Sequence, residues 1–246
     1  MFSELYQNVV LKKPKVIFLL LIATLLSFGF FSKDFKLDAS SDTLLIEGDP
    51  DLKYLREVTE RYGAKDFLVL TFTPKEPITS ENSINNLLSL KYKIQSLDWV
   101  HSVITILDVP LLNNSDKSLQ ERLNKLVTLK DEKVDKERGF KEILNSPVFR
   151  NFVISEDGKT SGIIVNIKQS KELKNIENKS KKELELINDQ IKKQNHQNIL
   201  EIRQVIQSYE DVGKIYLGGI PMIADDMMTF IKNDIVVFGI GVLLFI

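Results

Sequence analysis

The sequence contains no cysteine, two histidines and a single tryptophan among its 246 residues. The absence of cysteine excludes disulfides, thiolate metal sites and cysteine nucleophiles. His101 and His196 have no carboxylate at the spacing of a zinc site, so solvated or hydrogen-bonded histidines are the favoured interpretation. The sequence also lacks a Gly-rich phosphate loop and a Gly-x-Ser-x-Gly nucleophile elbow. We therefore expect neither an enzyme nor a bound metal or cofactor.

The sequence also has no excess of positive or negative charge. The chain has 33 Lys and Arg residues against 34 Asp and Glu residues, which gives a formal net charge of −1. Such a balance offers no electrostatic footprint for nucleic acid, and we expect no nucleic-acid partner. The charges are distributed unevenly, because two blocks near the ends of the sequence carry almost none of them.

The first uncharged block runs from Val16 to Phe31 and follows three lysines. With Pro14 at its start, it predicts a transmembrane helix over residues 14–32. A cleaved signal peptide would share the basic start, and Ser27-Phe28-Gly29 resembles a cleavage site, but the apolar run is long for a signal peptide. An uncleaved anchor is therefore favoured. The positive-inside rule then places residues 1–13 in the cytoplasm and the chain after the anchor outside it.

The second uncharged block runs from Ile235 to Ile246. Pro221 is predicted to begin a helix that continues into this block. At about 1.5 Å per residue, the block reaches only part of the way through a hydrocarbon core of about 30 Å. We therefore expect residues 221–246 to lead into a truncated second transmembrane helix, and the chain to be the N-terminal fragment of a longer polypeptide.

Residues 33–220, between the two blocks, are predicted to form an extracytoplasmic α+β domain. The apolar run from Phe67 to Phe72 favours an interior strand that is buried on both faces. The remaining predictions rest on caps, turn residues and apolar periodicity. They are a helix from Pro50 to Tyr62, a strand at 65–74, a helix from Thr79 or Ser80 to Leu97, a strand at 99–110, a hairpin whose turn is Asp157-Gly158 between arms 152–155 and 162–168, a helix at 173–209 with a break at 192–198, and a strand at 214–219.

A charge-dense segment, about residues 111–147, interrupts this series. Its thin apolar stripes predict two short amphipathic helices that form an insertion. The stripes consist of Leu119, Leu123, Leu126 and Leu129 in the first helix, and of Phe140, Ile143 and Leu144 in the second.

The order of the predicted elements is strand, helix, strand, insertion, strand, helix, strand. This order predicts a ferredoxin-like (split βαβ) sandwich, in which two helices cover one antiparallel sheet. The adjacent acids Asp225 and Asp226 are interpreted as first-turn residues of the last helix, where negative charge complements the helix dipole.

The sequence contains an apolar anchor after "LKKPK" and the segments "DPDLKYLREVTERYGAKDFLVLTF", "LDWVHSVITILDVP" and "YLGGIPMIADDMMTFIKNDIVVF". On these features, and over essentially all of its 246 residues, it resembles the resistance-nodulation-division (RND) superfamily of exporters, in particular the branch of the mycobacterial large membrane proteins (MMPL) and the Patched-like proteins. The resemblance implies a porter domain of ferredoxin-like subdomains in a proton-driven, multi-pass inner-membrane exporter of hydrophobic or lipid-like compounds. The family's proton-carrying residues lie in a later membrane helix, so none is assigned in this sequence.

Apolar residues at the membrane end of the domain are candidates for a substrate entrance, although simple packing at this joint is the favoured interpretation. They are Phe31, Phe35, Met222, Met227 and Phe230. The expected partners are the lipid bilayer, a hydrophobic or lipid-like substrate and the remainder of the same polypeptide. A homo-oligomer and a periplasmic partner stay open. Two alternatives to an exporter are a membrane-anchored extracytoplasmic sensor and a protein-interaction domain.

Overall fold

The computed structural model describes residues 13–31, 49–62, 66–112, 126–168 and 180–245, and the chain divides into two units, residues 1–38 and 39–246. The first unit contains helix α1 (Pro14–Phe31), which has no buried residue. Among the described residues, α1 is the helix that length and composition would allow to cross a membrane. A signal sequence near an N-terminus meets the same criterion.

The second unit combines helices with one four-stranded antiparallel sheet, so the predicted mixed α+β class is confirmed. The strand order in the sheet is β2-β3-β1-β4. Its elements are α2 (Pro50–Tyr62), β1 (Phe67–Pro74), α3 (Glu81–Gln95), β2 (Val100–Thr105), α4 (Lys136–Leu144), β3 (Ser161–Ile167), α5 (Lys181–Gln207), β4 (Gly213–Gly218) and α6 (Ile220–Phe245).

Strand β1 lies inside the sheet, but the prediction that both of its faces are buried is wrong. Leu68, Leu70 and Phe72 are fully buried, whereas the residues between them are partly exposed. Side chains alternate across a strand, and α3 and α5 pack their apolar residues against one face of the sheet. The opposite face has no comparable layer among the described residues, so it holds only half-buried and exposed side chains.

Helix α3 agrees with its prediction. The Ser80 hydroxyl accepts a hydrogen bond from the Ser83 N–H at 3.1 Å and caps the helix. Leu87, Leu90 and Ile94 form the buried stripe.

Strand β2 is shorter than predicted, because it ends at Thr105. There the Asp108 carboxylate accepts the Thr105 N–H at 2.9 Å, and a 3₁₀ turn (Ile106–Asp108) begins. This capping box offers the backbone an alternative to the strand ladder.

The insertion contains one of its two predicted helices in the described residues. Helix α4 confirms the second, and its Ile143 is buried. The first prediction is wrong for residues 126–135, which form an isolated bridge between Leu111 and Val127 followed by turns. The Asp131 carboxylate accepts the Thr128 N–H at 2.7 Å, and such local bonds compete with a helix. Residues 119 and 123 lie outside the described residues.

The predicted hairpin is confirmed at its turn and wrong in its first arm. Gly158 has φ 69°, and the Ser155 N–H donates to the Thr160 carbonyl at 2.9 Å. Residues 152–155 form no strand and reach β3 through a single bridge, Ile154 to Ser161. The reason is that β3 already pairs with β1 on one side and, from Ile163 onward, with β2 on the other. No free edge is left for a longer arm.

Helix α5 is continuous, so the predicted break at 192–198 is wrong. A capping box between Ser180 and Glu183 begins the helix, and residues 173–179 lie outside the described part of the chain. The polar residues of the supposed break make contacts instead. Gln194 donates to the buried Asn198 at 2.9 Å.

Strand β4 and the helix that follows it agree with their predictions. Gly219 alone separates β4 from α6, which runs without interruption from Ile220 to Phe245. Helix α2 also has its predicted bounds, and the Asp49 carboxylate caps it by accepting the Asp51 N–H at 2.9 Å. Gly63, which was expected to follow this helix, lies outside the described residues.

Candidate functional site

The five predicted entrance residues fall in different environments. Phe31, at the end of α1, is 67% exposed, and Phe35 lies outside the described residues. Met222 is partly buried and packs on the core of the sheet domain. Met227 is partly buried, whereas Phe230, one turn further along α6, is 63% exposed. The structure therefore places three of the five on the first half of α6, and two of these, at i and i+3, are neighbours on its surface.

The first half of α6 is held by polar side chains of α5 that sequence reasoning did not identify. His196 Nδ1 lies 2.9 Å from Asp225 Oδ1. Arg203 Nη2 donates to both carboxylate oxygens of Asp226, at 2.8 and 2.9 Å. We call this group the α5–α6 clip, and it consists of Asn195, His196 and Arg203 of α5 together with Pro221, Asp225 and Asp226 of α6.

The clip corrects the interpretation of the two acids. Asp225 and Asp226 are not in the first turn of α6, which begins at Ile220. They lie in its second turn, and the charges that they meet are side chains of another helix rather than the free N–H groups of their own. His196 and Arg203 are seven residues apart, which is close to two helical turns, so α5 presents both on one face.

The third contact of the clip reaches the beginning of α6. Asn195 Nδ2 donates to the Pro221 carbonyl at 2.9 Å. In the helix, residue 225 provides the usual N–H partner of that carbonyl, so Asn195 is an additional donor to it. The three contacts fix both the position and the rotation of the first two turns of α6 relative to α5.

Burial differs between the two sides of the clip. The Asp225 side chain is 10% exposed and that of Asp226 is 27% exposed, whereas His196 and Arg203 are nearly half exposed. A carboxylate with so little contact with water needs a hydrogen-bond donor close by. Because a carboxylate accepts only, the Nδ1 atom of His196 carries the proton in this contact.

Gly219 attaches α6 to the sheet at a second place. Its φ is 124°, a conformation that favours glycine. A Cβ atom at this position would lie 3.0 Å from the Phe67 carbonyl oxygen and 3.2 Å from the Leu68 Cα. Helix α6 thus begins in close contact with the backbone of β1.

The second half of α6 is apolar on all sides. Every described side chain from Ile235 to Phe245 is exposed, with 54% exposure at the first of these positions and 97% at the last. Consecutive helical residues are about 100° apart, so exposed apolar residues at 235, 236, 237 and 238 surround the helix. A helix that is hydrophobic all round is typical of a protein core or a membrane.

A second charged cluster lies away from the clip, around Asp108. Its carboxylate accepts from Lys91 Nζ, from Lys130 Nζ at 3.0 Å and from the Thr105 N–H at 2.9 Å. Burial raises the pKa of Asp108, but these hydrogen bonds and the attraction to Lys91 outweigh it, and the pKa lies below the ordinary value of 3.8. The cluster joins α3 to the 3₁₀ turn and to the insertion, which indicates a structural role.

In the described parts of the chain, no group of three or more His, Cys, Asp or Glu residues could hold a metal ion. No family model matches the sequence, and no match was found among the curated proteins either.

Proposed function

We propose that this chain is the N-terminal part of a proton-driven RND-type transporter of the MMPL/Patched-like branch that exports hydrophobic or lipid-like compounds. In this proposal the protein is a multi-pass protein of the inner (plasma) membrane with its N-terminus in the cytoplasm. The sheet domain is periplasmic and forms part of the substrate pathway. The observation that carries the proposal is helix α6, which is one uninterrupted helix, clipped to α5 at its beginning and apolar on all sides at its end.

An uninterrupted helix matters because it transmits movement. A flexible linker would hold the sheet domain near a membrane without coupling the two. Helix α6 instead has 26 residues and spans about 39 Å at about 1.5 Å per residue. With its first half fixed to α5 and its second half in lipid, a rotation of the sheet domain would move the membrane segment with it. Transporters that alternate between two states require such coupling.

We further propose that the sheet domain is a ferredoxin-like porter domain. The support is its topology, since α3 connects β1 to β2, α5 connects β3 to β4, and the strand order is β2-β3-β1-β4. In a split βαβ arrangement each helix joins strands that are not adjacent in the sheet, and this requirement is met here. The insertion between β2 and β3 is an addition to that pattern.

Within this proposal, Met227 and Phe230 are the candidates for the substrate entrance. Phe230 offers an exposed aromatic face, and Met227 a flexible and polarisable side chain one turn away. Met222 is the weaker candidate, because it packs on the core. Replacing Met227 and Phe230 with Gln in the full-length protein is expected to lower transport of a fluorescent phospholipid analogue into inside-out vesicles that carry a proton gradient.

The matched control for that experiment is Leu186→Gln, which changes a 58% exposed leucine on α5. This variant is expected to transport like the wild type at equal protein level. Unchanged transport by the Met227 and Phe230 variant would remove both residues from the pathway. Transport that persists after a protonophore collapses the gradient, or no transport by the wild-type protein, would overturn the exporter proposal itself.

The membrane topology has a test of its own, in which the 246-residue chain is expressed alone, because it contains no cysteine and gives no labelling background. Single cysteines at the exposed positions Lys13 and Glu210 would be treated with a membrane-impermeant maleimide in intact spheroplasts. We expect labelling at position 210 before lysis and at position 13 only after it. Labelling of both before lysis would show that α1 does not span the membrane, and the reverse pattern would invert the orientation.

A protein-interaction domain is the second candidate function, and the open face of the sheet favours it. Phe67, Ile104 and Tyr216 are 49%, 40% and 66% exposed, and the strand register places all three on the face opposite to the core. A sheet face that leaves large apolar and aromatic side chains exposed offers apolar area to a partner. If this were the main function, replacing Ile104 and Tyr216 with Ser would abolish activity in cells, whereas the Met227 and Phe230 variant would leave it intact.

A further inference from the structure

We propose that the α5–α6 clip is a pH-sensitive latch, in which acidification strengthens the hold of α5 on α6 and alkalinisation weakens it. The inference stands on the geometry of the clip and does not depend on the transport activity proposed above. It concerns the freedom of α6 to move relative to the sheet domain.

Helix α6 is attached to the rest of its unit in two ways that differ in rigidity. The first attachment is Gly219, the one residue between β4 and α6. A glycine at this position allows backbone rotation that other residues resist. The second attachment is the clip, six to seven residues further along. A helix that pivots at its first attachment is held in one orientation by the second, so the strength of the clip sets how far α6 can swing.

The two ion pairs of the clip respond differently to pH. Arg203 keeps its charge at every accessible pH, so its contact with Asp226 is constant. Histidine changes charge between about pH 5 and pH 8. The contact between His196 and Asp225 is therefore the part of the clip that acidity can change.

The change has a defined direction. At low pH the imidazolium Nδ1–H donates to the Asp225 carboxylate, so the contact combines a hydrogen bond with the attraction between opposite charges. At high pH the same N–H belongs to a neutral ring, so the nearly buried Asp225 carboxylate loses its counter-charge. A buried charge without a counter-charge is costly, and opening the contact to water relieves that cost.

The surrounding charges do not reverse this direction. Besides Asp225, the ionisable neighbours of His196 within two turns of α5 are Asp189, Lys192, Lys193, Glu201 and Arg203. Of these, Glu201 accepts a hydrogen bond from Trp99, which follows α3, and Arg203 is bound to Asp226. Strand β1, which packs against α6, has no ionisable side chain. Lys214 and Tyr216 of β4 lie on the opposite face of the sheet from the core. Ser89 of α3 is hydrogen-bonded to Tyr209, which follows α5.

The latch can be tested with spin labels, because these 246 residues contain no cysteine. Cysteines at the exposed positions Gln207 on α5 and Lys232 on α6 would carry the labels in the full chain, reconstituted in lipid nanodiscs. Double electron–electron resonance would then measure the distance distribution at about pH 5 and about pH 8. We expect a narrow distribution at the lower pH and a broader one at the higher pH.

Four variants test whether the change of the distance distribution with pH comes from the clip. His196→Gln and Asp225→Asn are expected to give the same distribution at both pH values. His101→Gln is the matched control, because it removes the one other histidine, which is exposed on β2, and it should respond like the wild type. Arg203→Gln removes the constant ion pair, so the His196 contact carries more of the hold and the change in width with pH should become larger.

Three outcomes would overturn the proposal. They are a wild-type distribution of the same width at both pH values, a His196→Gln variant that still responds to pH, and a His101→Gln variant that no longer does. Circular dichroism of each variant checks that the domain is folded. The His196→Gln variant is expected to fold because the side chain of His196 is 47% exposed. Failure of transport with an intact latch response would count against the proposed function alone.

Discussion

Replacing Asp108 with Asn should destabilise the sheet domain by about 3 kcal/mol, mainly through Lys91. In the folded protein the Lys91 side chain is 11% exposed, and its ammonium group binds the Asp108 carboxylate. Asn retains the shape and one acceptor oxygen but removes the negative charge. An uncompensated cation would then remain in a nearly buried position.

The magnitude follows from the burial of the partners. Breaking a fully buried pair by removing one partner costs about 3–5 kcal/mol, and the 21% exposure of the Asp108 side chain places this pair at the lower end of that range. Lys130 is 36% exposed, so its contact with Asp108 adds only about 0–1 kcal/mol. Lys130→Met is therefore the matched control, and its effect should stay below about 1 kcal/mol.

The assay uses the single tryptophan. Trp99 is 9% exposed, and its indole N–H donates to Glu201 at 2.9 Å, so its emission reports on the packing of α5 against the sheet domain. Urea titration of the full chain in a non-ionic detergent gives the free energy of unfolding for each variant. A loss below about 1 kcal/mol for Asp108→Asn would refute the reasoning, because it would mean that Lys91 finds water or another partner without cost.

Two further predictions concern acid and the beginning of α6. The pKa of Asp108 lies below 3.8 in the folded protein, so its contribution to stability is present above that value and is lost as the pH falls through the lower folded-state pKa. Urea titrations above and below this pH window should show that acid lowers the free energy of unfolding less for Asp108→Asn than for the wild type. Equal decreases would contradict the assignment. Gly219→Ala should cost about 1–3 kcal/mol, because alanine resists φ 124° and its Cβ would meet the Phe67 carbonyl. Gly218→Ala, whose Cβ would lie 3.7 Å from the nearest atom, should cost less than about 1 kcal/mol in thermal unfolding, and an equal cost for both would argue against strain at Gly219.

Local signals in the sequence were sufficient for the elements whose ends are set locally. Ser80 caps α3 through a residue three positions away, and Gly219 separates β4 from α6. The apolar run of β1 indicated its position inside the sheet, but it did not reveal that one face would remain partly open. That outcome depends on where α3 and α5 pack, which is a property of the whole domain rather than of the strand.

The clip could not be predicted because its partners are distant in sequence. His196 and Asp225 are 29 positions apart, and Arg203 and Asp226 are 23 apart. No local spacing reports such pairs. A signal was present all the same, since the polar run in the middle of α5 interrupts an apolar stripe without any proline or glycine. Polar residues at positions that would continue the apolar stripe of an unbroken helix indicate a polar partner. Because they were interpreted as a helix break, the α5–α6 clip was not predicted.

The single residue between β4 and α6 also fixes the phase of the helix. One inserted or deleted residue there would rotate everything that follows by about 100°, and would point the carboxylates of Asp225 and Asp226 away from His196 and Arg203. An insertion of the same size in the turn at Asp157-Gly158 would leave the phase of α6 unchanged. Length changes in this protein are therefore least tolerable at a connection that has almost no side chain, and fusion sites for reporters belong elsewhere.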